Sequence, residues 1–142
     1  MTTIQEILHT KGHEVWSVTP TATVFQALEL LADKRIGAVL VVESERPVGI
    51  FSERDYARKV VLEDRTARET TVADVMTSNP VCIRPEQTID EAMALMTAKR
   101  FRHLPVIQSD RLVGLVSIGD VVKAKISEQT FAIQQLENYI TS

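Results

Sequence analysis

A single cysteine, Cys82, excludes an intrachain disulfide. No apolar run approaches the roughly 20 residues that a membrane-spanning helix needs, and the longest are only about a strand long. The opening "MTTIQEILHTKGHE" has neither the basic start nor the apolar stretch of a secretory signal, so a cytoplasmic protein is the expectation. Excess positive charge is missing too. The net charge is −3, which provides no general electrostatic footprint for nucleic acid. A P-loop, a G-x-G-x-x-G turn, a nucleophile elbow and a metal-ligand cluster are all missing, and no nucleophile lies in the motif around His103. Catalysis is therefore not expected.

What is present is a repeat. The 142 residues, 44% hydrophobic and 25% charged, have the balance of a globular protein. Shifting the chain by 65 positions lays Val18–Tyr56 on Ile83–Val121 without a gap. Thirteen of the thirty-nine pairs are identical, where roughly two would follow from average residue usage. In each copy a proline ends an extended segment and a capping box follows, Thr23-x-x-Gln26 and Thr88-x-x-Glu91. Val24, Ala27, Leu28 and Leu31, and then Ile89, Ala92, Met93 and Met96, recur at i, i+3, i+4, i+7 and predict one apolar helix face. The β-branched runs "AVLVV" and "LPVI", a polar turn and a second strand come next.

Those second strands run into "VGIFSERDYARK" (Val48–Lys59) and "VGLVSIGDVVKA" (Val113–Ala124). Both carry G-x-x-S-x-x-D, with Ser52 and Asp55 in one copy and Ser117 and Asp120 in the other. A carboxylate one turn into a helix can accept hydrogen bonds from both hydroxyls of a ribose. The serine and the free amides behind it favour a phosphate or ribose oxygen. The alternative is that Ser-x-x-Asp is only a capping box. Each copy of about 60 residues would be marginal alone, so the two are expected to pack together. The partition is 1–65, 72–127 and a helical extension, 128–142, with "EDRTARETT" as connector and "TVADVM" opening the second copy as "TIQEIL" opens the first.

Two β-α-β-β-α units, each closing with G-h-h-S-x-x-D (h apolar) and one carrying "RFRHLPVI" (Arg100–Ile107), resemble a tandem pair of CBS domains, the Bateman module. The resemblance runs from about Thr3 to Ile126. It implies an α/β fold of two β-α-β-β-α CBS repeats in a pseudo-two-fold module with a C-terminal helical extension. It also implies a non-catalytic regulatory role, with an adenine nucleotide (AMP, ATP or NAD) as ligand in clefts between the repeats and no metal required. Carried over residue by residue, Ser52 and Asp55 mark one pocket and Ser117 and Asp120 the other. Arg54, Arg58 and Lys59 stand where the second copy has Gly119, Lys123 and Ala124, while Arg102 and His103 replace Gly37 and Ala38. The resemblance implies that these basic groups clamp phosphate, through bidentate hydrogen bonds where they are arginines. The alternative for Arg54 and Arg58 is a solvated helix face paired with Glu53 or Asp55.

Partners follow from the same features. Val122, Ile126, Gln129, Ile133, Leu136 and Ile140 make a narrow 4-3-4-3-4 seam. It predicts a second copy of the chain packed on the C-terminal helix, or else packing on the chain's own first helix; the resemblance favours the first and implies a homodimer that also uses the CBS-pair helices. The resemblance implies a regulated target protein, whose identity the sequence does not give. A membrane is not expected, nor is nucleic acid. The competing function is an adaptor that binds a partner protein or nucleic acid through the basic helix Arg54–Lys59 without nucleotide. His9 and His13 share a helix spacing but lack a third ligand. Trp16 is expected in the core or the cleft mouth of the first copy, and Cys82 is expected buried in a strand.

Overall fold

The computed structural model describes residues 1–141. Its elements run α1 (Ile4–Lys11), β1 (Ser17–Val18), α2 (Val24–Lys34), β2 (Ala38–Glu43), β3 (Arg46–Ser52), α3 (Glu53–Tyr56) and a π-helical turn (Ala57–Val61). They continue with α4 (Val72–Val75), β4 (Thr77–Ser78), α5 (Ile89–Lys99), β5 (His103–Gln108), β6 (Arg111–Ser117) and α6 (Ile118–Thr141).

Local chemistry sets these boundaries. At α2 the box is complete: Gln26 N donates to Thr23 Oγ1 (3.1 Å) and Thr23 N to Gln26 Oε1 (2.9 Å). At α5 only half of it forms. Glu91 N donates to Thr88 Oγ1 (3.2 Å), but the Glu91 carboxylate turns to Gln87 Nε2 and the Thr88 hydroxyl. Val24, Ala27 and Leu31 face one core, and Ile89, Ala92 and Met96 the other. Both hairpin turns carry paired positive φ values, Ser44 (53°) with Glu45 (64°) and Ser109 (51°) with Asp110 (63°). Positive φ at both central residues matches the right-handed strand twist.

The chain packs as two compact units that cut across the linear repeat. One contains Val15–Pro80 and Asp110–Leu112, and is called here the first-repeat unit. The second-repeat unit contains Met1–Glu14, Val81–Ser109 and Val113 onward. Each lead-in segment therefore joins the other copy. Ile4 N donates to Gln87 O (2.9 Å), Gln5 N to Pro85 O (2.9 Å), and Ile89 N to Thr2 O (3.0 Å). The other unit repeats the pattern: Val72 N to Ala22 O (2.8 Å), Ala73 N to Pro20 O (3.0 Å), and Val24 N to Thr70 O (2.9 Å). Ile4, Ile7 and Leu8 are core residues of the second-repeat unit, as Val72 and Val75 are of the first.

The first-repeat sheet has the order β1-β2-β3-β4, with β1 parallel to β2 and antiparallel pairs after it. In the second-repeat unit β5 pairs with β6, and Ile83 makes a parallel bridge to Val106 where Val18 pairs with Val41 in the first. Cys82 corrects the expectation: it lies outside any strand and is exposed, because its neighbours Val81 and Ile83 are the ones that turn toward the core. Trp16 is half-buried against the first-repeat core, with Lys34 Nζ 4.2 Å from its ring centroid.

Candidate functional site

Both Ser-x-x-Asp frames stand where a strand becomes a helix. Ser52 ends β3 opposite Ala38 of β2, and the first helical amide, Glu53 N, donates to Gly37 O (3.1 Å). Ser117 ends β6, and Ile118 N donates to Arg102 O (2.8 Å). That backbone bond fixes Arg102 beside the second frame. In both copies the aspartate accepts from the serine amide and the serine hydroxyl accepts from the aspartate amide, so both frames are capping boxes. What else reaches each carboxylate separates them.

Asp55 is buried, with 8% of its surface exposed. Its Oδ2 accepts from Ser52 N (3.0 Å) and Ser52 Oγ (3.1 Å). Its Oδ1 accepts from Thr77 Oγ1 (3.3 Å) and faces Lys59 Nζ (3.2 Å). Four donors fill the roughly four lone-pair positions of a carboxylate. Lys59 also donates to Val75 O (3.1 Å), so its ammonium ties the π-helical turn to the end of α4. The acid that the sequence offered as a ribose acceptor is internally saturated in this arrangement.

Asp120 is more open. Its Oδ2 takes Ser117 N (2.8 Å) and the ammonium of Lys11 (2.6 Å), which also donates to Leu115 O (3.0 Å). Partial burial works against the charged carboxylate, but Lys11 and the Ser117 amide outweigh it and hold the Asp120 carboxyl below its ordinary range. His103 sits nearby, largely desolvated. Burial and the Lys11 ammonium push its imidazole below the usual range, Asp120 opposes them, and Arg102 adds to the lowering. Around neutral pH the ring is therefore uncharged. Asp120 lies in a groove of about 560 Å³ bounded by α1 and the first half of α6, lined also by Met1, Thr10, Lys11, Lys123 and Phe131.

The lead-ins account for Lys11. In the first-repeat unit β4 covers the edge of β3, with Ile50 paired to Thr77. In the second-repeat unit α1 stays helical to Lys11, so the matching edge carbonyls of β6 are met by side chains instead. Lys11 Nζ takes Leu115 O, and His13 Nδ1 donates to Val113 O (2.8 Å). Among the described residues no group of three or more His, Cys, Asp or Glu is placed to hold a metal ion.

Of the residues singled out by sequence, Ser52, Arg54, Asp55, Arg58 and Lys59 belong to the first-repeat unit, and Arg102, His103, Ser117 and Asp120 to the second. Arg54, Arg58 and Arg102 are exposed and make no ion pair or side-chain hydrogen bond among the described residues. The expected pairing of Arg54 or Arg58 with Glu53 or Asp55 is replaced by the Lys59–Asp55 pair. Sequence reasoning missed Lys11 and Thr77. Their only signal was position near the end of a lead-in, and it becomes readable only when the partner repeat is known.

The CBS domain family model matches the chain twice, at residues 4–62 and 72–127. The chain belongs to the CBS domain family. "CBS domain-containing protein CBSX3, mitochondrial" of Arabidopsis thaliana is 38% identical, over 98% of this chain and 72% of that protein. The solved structure of a protein with CBS domains from Burkholderia ambifaria MC40-6 is 47% identical with a TM-score of 0.85, covering 90% of this chain and 96% of the other. CBSX2, solved in complex with AMP, shares the fold at 24% identity and a TM-score of 0.74, over 91% and 99% of the two chains. Among the described residues no helix is long and apolar enough to cross a membrane. The fold is thus the tandem CBS arrangement that the resemblance implied, with its C-terminal helix.

Proposed function

We propose that this CBS pair is a non-catalytic, cytoplasmic regulatory module that binds an adenine nucleotide (AMP, ATP or NAD) and acts on a partner protein by a ligand-dependent change of shape. The observation that carries the reading is the Asp120 groove. A carboxylate at a helix entrance, suited to the two hydroxyls of a ribose, stands in it with Lys11 and Lys123 as cations for phosphate, and Arg102 lies beside the same Ser-x-x-Asp frame. The AMP bound by CBSX2 supports an adenine ligand for the same fold. Ser117 and His103 complete this candidate site, while Ser52, Asp55, Arg54, Arg58 and Lys59 form the candidate site of the first-repeat unit. A ligand that binds only the folded chain stabilises it by mass action, about 2.7 kcal/mol at a hundredfold excess over Kd. AMP, ADP, ATP or NAD at about 1 mM should therefore raise the melting temperature by roughly 5–10 °C for a ligand with a Kd of about 10 μM. No shift with any of the four would overturn the reading and favour the adaptor.

The partner surface includes a second copy of the chain. Beyond Glu128 every described residue of α6 is exposed, with Phe131 at 63%, Ile133 at 55%, Leu136 at 62% and Ile140 at 79%. The seam from Ile126 to Ile140 carries the heptad-like spacing of a helix that packs on another helix. Truncation after Glu128 keeps that residue's bonds to Thr2 N (2.9 Å) and Lys125 (3.4 Å) and removes the exposed seam. Light scattering should show the dimer of the full chain falling to a monomer. An unchanged mass per particle would place the dimer contact on the CBS-pair helices alone.

A further inference from the structure

Two ammonium groups do the same task from unrelated places in the chain. Lys59 holds Asp55 from one helical turn away and donates to Val75 O. Lys11, at the end of a lead-in helix, holds Asp120 and donates to Leu115 O. By the repeat, their counterparts are Ala124 and Asn79, so neither contact is inherited from the other. They differ in whether a ligand can exchange with them. Asp55 is saturated and buried. Asp120 keeps its hydrogen bonds on Oδ2, its side chain is 24% exposed, and it lines the groove together with Lys11 itself.

We propose that Lys11 is the specificity residue of the Asp120 groove: an internal cation that competes with the ribose for Asp120 and, once displaced, takes the ligand's phosphate. The groove then selects a nucleoside monophosphate over its nucleoside. This rests on the reading of the groove as an adenine-nucleotide site. A nucleoside that takes Oδ2 breaks the Lys11 ion pair and offers the ammonium nothing in return. A nucleoside monophosphate breaks the same pair and replaces it with a charge-assisted bond of the same kind. Lys123 is exposed one turn beyond Asp120, lines the same groove, and makes no ion pair among the described residues. Two ammonium groups suit one phosphate. A longer phosphate chain meets the other carboxylates of the lining, Glu6 and Glu128, of which Glu128 is engaged by Thr2 N and Lys125.

Titration calorimetry of adenosine and AMP against the full-length wild type, Lys11→Met and Lys11→Arg tests this. Wild type should prefer AMP by about tenfold or more, as expected of one charge-assisted contact that adenosine lacks. In Lys11→Met the carboxylate is released, so adenosine should bind several-fold tighter while AMP weakens about tenfold. Lys11→Arg, which keeps a donor to phosphate, should retain the preference for AMP. Opposite movements of the two ligands are the signature. If both shift together, or neither shifts, Lys11 is a structural tether and the inference is overturned, while nucleotide binding stands. If wild type binds neither ligand, this inference is overturned, and the wider nucleotide reading is then decided by the melting shifts with ADP, ATP and NAD. Melting temperatures of the variants guard against misfolding, and Lys11→Gln serves as a second neutral variant if Lys11→Met does not fold.

Discussion

Asp55→Ala should lower the stability of the protein by roughly 2–4 kcal/mol, about twice the loss from Asp120→Ala, although the two acids occupy the same place in the repeat. Removing Asp55 strips the cap of α3 and leaves the half-buried Ser52 amide and Thr77 hydroxyl without their acceptor. A lost cap alone is worth about 1 kcal/mol, and an orphaned buried donor costs about 1–3 kcal/mol. Lys59 adds less, because its side chain is 41% exposed and water can solvate the released ammonium. Asp120→Ala loses the cap and the Lys11 pair, both nearer to solvent, and should cost only about 1–2 kcal/mol. Urea unfolding at neutral pH measures both. Equal losses would mean that Thr77 and Lys59 do not stabilise Asp55 as the geometry implies.

The second large effect concerns the lead-in helix. Leu8 is fully buried in the second-repeat core, and a Cβ built on Gly114 would lie 2.6 Å from Leu8 Cδ2 and 2.9 Å from Cδ1. Gly49, at the matching position, is as crowded by Met76 of the other lead-in and by Thr77 O at 3.1 Å. Each glycine is thus a notch that lets a lead-in side chain lie on the strand. Leu8→Ala should cost about 2–5 kcal/mol through its cavity. Gly114→Ala should cost about 1–3 kcal/mol, because Leu8 is enclosed and cannot step aside. The double variant should be less destabilised than the sum, since the new methyl fills part of the space Leu8 vacates. Strict additivity in denaturant titrations would show that α1 is not seated on Gly114. A melting temperature insensitive to Leu8→Ala would remove α1 from the core altogether.

The sequence by itself determined the repeat, the two capping threonines, the apolar faces of α2 and α5, the hairpins, and the Ser-x-x-Asp turn at each strand end. The repeat shows as self-similarity at an offset of 65, and the rest are written in steps of three or four residues or in the regular alternation of a strand, so local hydrogen bonding and periodicity reveal them. Family resemblance added the adenine-nucleotide expectation, but not the difference between the two carboxylates. Tertiary structure alone decided where each lead-in docks. "TIQEIL" meets a Pro-x-x-Thr landing place in either copy, at Pro20 or at Pro85, and the same local pattern marks both. Only packing sends it to Gln87 and Pro85, eighty or more residues away. From that choice follow the helix that runs to Lys11, the ammonium on Asp120, and the side chains that cap the edge of β6. The first lead-in, with "HTKGHEVWSV" where the second has "TSNPVCI", is three residues longer, and the difference matters for the same reason. In the second lead-in the chain leaves the helix at Met76 and becomes a strand, whose Thr77 closes Asp55, while in the first it stays helical and delivers a lysine. Cys82 faces solvent because the neighbouring Ile83 pairs with Val106 and takes the inward position. Two nearly identical motifs thus acquire unequal carboxylates from segments that lie far from them in the chain.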